Sequence, residues 1–150
     1  MSVSVQEADF DVGGEIEALS MDDDGAGAVA SFVGLVRGQD VLAMTLEHYP
    51  GMTETALAEI VAAAVGHWRL RRVRVIHRVG RLLPGERIVF VGVAASHRGD
   101  AFAACEFIMD YLKTRAPFWK KEETAEGAHW VDARESDDKA AARWGGGELS

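Results

Sequence analysis

The chain has 150 residues, 48% of them hydrophobic, a formal charge of −8 and a single cysteine. That length is one domain, with apolar surface enough for a real core and no room for a second domain. The lone Cys105 excludes an intrachain disulfide and a cysteine-rich zinc site, and points to a reducing compartment.

Met1 to Glu7 lacks the basic flank and apolar run of a signal peptide, and no stretch approaches the roughly 20 apolar residues of a membrane span, so a cytoplasmic protein is expected. Charge is unevenly spread. Residues 1–60 carry twelve acids and one base, Arg37; residues 61–121 carry twelve bases and four acids; residues 122–150 carry eight acids and three bases. An acidic chain with a basic middle does not suit nucleic acid, which is tracked by basic faces, but it suits a compact anion in a local positive pocket.

The alternation from Ser2 to Phe10 predicts an edge strand, and Val12 to Met21 a short helix ended by Asp22-Asp23-Asp24-Gly25. Gly27 to Val36 reads as a buried strand and Val41 to Tyr49 as another, stopped by Pro50-Gly51. Leu57, Ile60, Val61, Ala64 and Val65 recur at helical spacing, predicting an amphipathic helix over 53–68.

Leu70 to Val79 predicts a half-exposed strand with Val73, Val75 and His77 on one face and Arg72, Arg74 and Arg78 on the other. Leu83-Pro84-Gly85-Glu86 is a turn, and Arg87 to Ala95 a central strand. Asp100 is the expected N-cap of a helix running to about Ala116, stopped by Pro117. Phe118 to Glu123 and His129 to Ala133 form a late pair of short strands. The chain is polar from Arg134, and the domain is expected to span 1–144, with a loose Gly-rich tail over 145–150. Strands and helices mix without strict alternation, which favours α+β with a largely antiparallel sheet.

On a helical wheel from Asp100, Phe102, Cys105, Met109 and Leu112 form an apolar stripe, and Lys113 falls at its edge, about 40° from Met109 with Glu106 beside it. A lysine there either snorkels into water or sits partly desolvated; desolvation makes an amine a usable base or nucleophile near neutral pH. Three of the four lysines, Lys113, Lys120 and Lys121, fall within nine residues. The turn at Pro117-Phe118-Trp119 can aim Lys113 and Lys120 at one cavity; the alternative is a basic surface loop.

His97-Arg98 ends the central strand just before the helix, where unpaired N–H groups and a bidentate guanidinium favour an anion. If the ends of the two strands lie side by side, Arg37 and Arg98 form a phosphate clamp; otherwise they are unrelated surface residues. His48, His67, His77, His97 and His129 show no metal-ligand spacing, so no metal is expected. His48 and His77 read as strand-face residues and Cys105 as a buried small hydrophobe. Ser31 and Ser96 lack a nucleophile elbow.

The run from Phe107 to Glu122, with Asp110-Tyr111-Leu112-Lys113 and Pro117-Phe118-Trp119-Lys120-Lys121, resembles the signature of the molybdopterin synthase large (catalytic) subunit family. Three further segments agree in order and spacing: Phe32 to Arg37, Leu46 to Met52, and His77-Arg78-Val79-Gly80 leading to Ser96-His97-Arg98. The resemblance covers roughly residues 3–144.

It implies an α/β hammerhead fold and a homodimer within a heterotetramer. It further implies a small ubiquitin-like partner whose C-terminal Gly-Gly thiocarboxylate gives two sulfurs to cyclic pyranopterin monophosphate, with no cofactor. The family's catalytic lysines fall on Lys113 and Lys120, and its substrate contacts on Leu35, Val36, Arg37, His97, Arg98, Lys113, Lys120, Lys121 and Glu122. Two rivals remain at this stage: a non-catalytic anion-binding module, and a different pterin- or phosphate-handling enzyme.

Overall fold

The computed structural model describes residues 1–131, 139, 141, 142 and 144. The elements run β1 (Ser2–Gln6), α1 (Val12–Ser20), β2 (Ala28–Leu35), β3 (Ala43–His48), α2 (Met52–His67), β4 (Leu70–Arg78), β5 (Gly80–Leu82), β6 (Arg87–Ala95), α3 (Arg98–Arg115), β7 (Phe118–Thr124) and β8 (Gly127–Val131). They form two four-stranded sheets, ordered β1-β4-β6-β2 and β5-β3-β7-β8. β1 and β4 pair in parallel and the remaining pairs are antiparallel, so the fold is the expected α+β with a largely antiparallel sheet. Most of the segment from Arg134, the end of the last expected strand and the tail 145–150 lie outside the described residues.

β6 explains the core. From Val89 to Ala95 every residue is buried, because the strand has β4 and β2 on its flanks and helices on both faces. A strand covered twice reads as a continuous apolar run. On one face α2 and α3 enclose the main core, which includes Ile60, Val75, Val91, Ala104 and Ile108; on the other, α1 closes a smaller one of Phe10, Leu19, Ile76, Phe90 and Ala94.

That second core corrects the reading of β4 as half-exposed: Ile76 and Arg78 are buried on the side expected to face water. Arg78 is tolerated there because its guanidinium donates to the carbonyls of Glu7 and Arg87, at 3.1 and 3.0 Å, and reaches the Glu86 carboxylate.

Three other expectations change. β2 is an edge strand that exposes Val29, Phe32 and Leu35, although its composition reads as interior. The α3 N-cap is His97, not Asp100; the helix starts three residues earlier, with the N–H of Ala101 donating to the carbonyl of His97. Phe102, placed on the apolar stripe, is 67% exposed, and the buried face runs instead through Ala101, Ala104, Cys105, Ile108 and Leu112.

The second sheet meets the first through a small cluster of Val36, Met44, Leu46 and Leu82. Thr53, fully buried at the start of α2, accepts from the N–H of Tyr49 and donates its hydroxyl to the carbonyl of Pro117. This tie fixes the α3–β7 turn against the end of β3, and thereby sets where β7 presents its side chains.

Candidate active site

Two adjoining cavities, of about 600 and 320 Å³, lie where the end of β2, the last turn of α3 and the start of β7 converge. The larger is of a size that takes a small organic molecule. Lys113 enters both from α3, Lys120 from β7 and Arg37 from the loop after β2.

Alternation along β7 decides who faces inward. Phe118, Lys120 and Glu122 share one face, opposite His48, Leu46 and Met44 of β3. Leu35, Val36 and Glu122 join the three cations around the smaller cavity. Six of the expected site residues are therefore gathered in one place, from three separate stretches of sequence.

The remaining three are elsewhere. Lys121 points to the other face of β7, with its ammonium 5.4 Å from the centre of the Trp130 ring. His97 and Arg98 sit at the opposite end of the β2–β6 ladder from Arg37. The register pairs Leu35 with Arg87 and Ala28 with Ala95, so the two arginines are separated by the whole ladder, roughly 25 Å at about 3.3 Å per residue. Convergence of Arg37 and Arg98 within one chain does not occur: the strands are antiparallel, so their C-terminal ends point apart.

Arg37 and Lys113 are exposed and make no ion pair with the described residues. Most bases of β4 to β6 do: Arg71 pairs with Asp23, Arg74 with Glu15 and Arg87 with Asp9. The acidic first third of the chain thus pairs with much of the basic strands, while Arg37 and Lys113 at the cavity stay outside those pairs among the described residues. The exposure of Lys113 matches snorkelling, not the partly desolvated position, within a single chain.

His77 is the residue that sequence reasoning assigned only to a strand face. It is 5% exposed, lines the larger cavity and stacks on Phe118, with ring centroids 3.8 Å apart and 18° between planes. Its Nδ1–H donates to the carbonyl of Arg78 at 2.8 Å, which leaves the lone pair on Nε2. Burial pushes its pKa down to about 4, against the backbone bond that raises it; the nearby charges of Lys113 and His48 lower it further. The signal available in sequence was a lone polar residue continuing the apolar face of Val73 and Val75.

Cys105 is buried with its thiol pushed up to about 11 by desolvation and Glu106, an inert position. Among the described residues no cluster of three His, Cys, Asp or Glu is arranged to hold a metal, and no helix is long and apolar enough to cross a membrane.

Fold and site together define an α+β protein with adjoining cation-lined cavities at the junction of two sheets. The family model "MoaE protein" matches residues 5–115. The molybdopterin synthase catalytic subunit of Ralstonia nicotianae is 63% identical over 148 residues, covering 96% of this chain and 84% of that one. That of Pseudomonas aeruginosa is 59% identical over 148 residues, covering 96% and 99%. The solved structure of the molybdopterin biosynthesis MoaE protein from Burkholderia ambifaria superposes with a TM-score of 0.85 at 56% identity, covering 98% of this chain and all of that one. Molybdopterin synthase from Staphylococcus aureus superposes with a TM-score of 0.79 at 27% identity, covering 85% and 95%. The chain belongs to the MoaE family of molybdopterin synthase catalytic subunits, transferases of molybdenum cofactor biosynthesis.

Proposed function

We propose that this chain converts cyclic pyranopterin monophosphate to molybdopterin by two sulfur transfers, taken from the thiocarboxylated C-terminal Gly-Gly of a small ubiquitin-like partner. The observation that carries the reading is the gathering of Lys113, Lys120 and Arg37 around shared cavities. The thiocarboxylate sulfur and the substrate phosphate are both anions, and bringing them together in a site that a bound tail closes off requires fixed positive charge. Lys113 and Lys120 are the groups placed to stabilise that charge and to move protons at the pterin carbons as sulfur adds. A tail without side chains suits a narrow approach with the backbone extended.

The substrate-binding roles of His97 and Arg98 fit this reading if they act on a second copy. β2 is an edge strand with Val29, Phe32 and Leu35 exposed, and α3 packs beside it with Phe102 in solvent. Pairing β2 with its own copy about a two-fold axis runs the strands antiparallel. The Arg37 end of one copy then meets the Ala28 end of the other, which adjoins Ser96-His97-Arg98. The clamp sought within one chain is thereby rebuilt across the homodimer, with a small partner at each end to make a heterotetramer, in the cytoplasm. Lys121, held over Trp130, acts from the site's rim.

The test is reconstitution: purified chain, thiocarboxylated small subunit and pterin precursor, assayed for molybdopterin. Product that depends on all three supports the reading. Tight binding of partner and precursor with no product leaves a non-catalytic anion-binding module in its place.

A further inference from the structure

His77 has no part in the reaction as described so far, and its environment is unusual for a residue that merely fills space. The ring is held on two sides: Nδ1–H is committed to the Arg78 carbonyl, and one face lies flat on Phe118. Nε2 has no hydrogen-bond partner among the described residues, although the residue is 5% exposed and lines the larger cavity. The one buried polar side-chain atom sealed away without a hydrogen bond among the described residues is the hydroxyl of Tyr111, so Nε2 is open to the cavity. An acceptor that faces a cavity is bonded by water there, and a ligand that displaces the water must supply a donor in its place. A phenylalanine would stack on Phe118 with no such requirement.

We propose that His77 is a substrate-positioning residue whose Nε2 accepts a hydrogen bond from a neutral N–H donor of the bound heterocycle. The geometry selects the donor. A lone pair repels the phosphate and the thiocarboxylate, which go to Arg37, Lys113 and Lys120 on the other walls. Burial, and after it the charges of Lys113 and His48, oppose protonation of the ring, so the imidazole stays an acceptor. A pterin ring carries amide and ring N–H groups and stands in need of such a partner. His77 would therefore fix the orientation of the heterocycle while the cations hold its charged end.

This rests on the pterin substrate proposed above. The measurements are steady-state kinetics of His77→Asn, His77→Gln and His77→Phe, and the ¹⁵N resonances of His77 in the unaltered protein during titration with the pterin precursor. Asn keeps the donor to Arg78 and loses the distal acceptor; Gln restores an acceptor near Nε2. We expect the KM for the precursor to rise about tenfold or more in the Asn and Phe variants, as for a lost hydrogen bond to substrate. Gln should recover most of it, and affinity for the small subunit should not change. In the unaltered protein the Nε2 resonance should be that of an unprotonated nitrogen and should move when precursor binds.

A wild-type KM in His77→Asn, or Gln no better than Asn, overturns the inference. So does an Nε2 resonance that responds to Lys113→Ala and not to precursor. Should the variants fail to fold, the titration alone decides. A wild-type protein that makes no molybdopterin defeats the substrate reading instead, and is told apart by that control.

Discussion

Lys113 stands in the last turn of α3 with its side chain in solvent, so its removal takes little from the fold. Lys113→Ala is expected to lose nearly all sulfur transfer while unfolding free energy changes by under about 0.5 kcal/mol. Turnover close to normal in this variant contradicts its catalytic role. Lys120→Ala should also be severely impaired in kcat; a raised KM with kcat unchanged would reassign it to uniform binding.

His77 carries a stability signature of its own. Its folded pKa, about 4, lies below the ordinary 6.5, so between those values the unfolded chain binds more protons and stability falls as pH falls. Fully expressed, that loss is about 3 kcal/mol below pH 4 and vanishes above pH 6.5. The carboxyls of Asp9, Asp23 and Glu123 are held below their ordinary range, mainly by hydrogen bonds from Arg87, Arg71 and Arg81, so their losses come lower on the pH scale. Denaturant titrations of His77→Phe should therefore show a flatter stability profile than the parent between pH 6.5 and 4. Parallel profiles would mean the imidazole is not buried neutral.

Among the elements, the β2–β6 ladder governs where the site residues end up. Gly27 passes so close to the carbonyl of Ser96 that an added Cβ would collide with it. Gly27→Ala should destabilise the protein by about 1–3 kcal/mol, the range for forcing extra atoms into packed structure. An unchanged urea midpoint would contradict this.

The ladder also shows what the sequence could and could not reveal. β6 was legible to the residue because an unbroken apolar run admits few alternatives, and the helices were legible within a residue or two except at the start of α3. There Asp100 looked the better cap, but the chain leaves β6 straight into the helix and His97 takes the position. β5, three residues long, is stabilised by its partner β3 and has no local pattern of its own. The sense of pairing was not legible either. Strand direction is set by long-range contacts, and it is what sends Arg37 and Arg98 to opposite ends. Lys113 and Lys120 could be placed together because only the turn at Pro117 intervenes.

At the scale of the whole molecule, the separation of Arg37 from His97 and Arg98 makes the proposed dimer part of the active site. Lys113→Ala and Arg98→Ala should each be inactive alone. Unfolded and reassembled together, half of the mixed dimers' sites combine the intact Lys113 of one copy with the intact Arg98 of the other. Random association then restores roughly a quarter of wild-type activity. No recovery, with mixed dimers demonstrably formed, would place Arg98 outside the neighbouring site.

Counting sulfur checks transfer at the Lys113–Lys120 cavity. The thiocarboxylated partner consumed is measured by mass spectrometry against molybdopterin formed, for the unaltered chain and for Lys113→Ala. Two thiocarboxylates should be converted to carboxylates for each molybdopterin, with essentially none of either change in the variant. Molybdopterin formed without loss of thiocarboxylate, or at the same rate without Lys113, would contradict it.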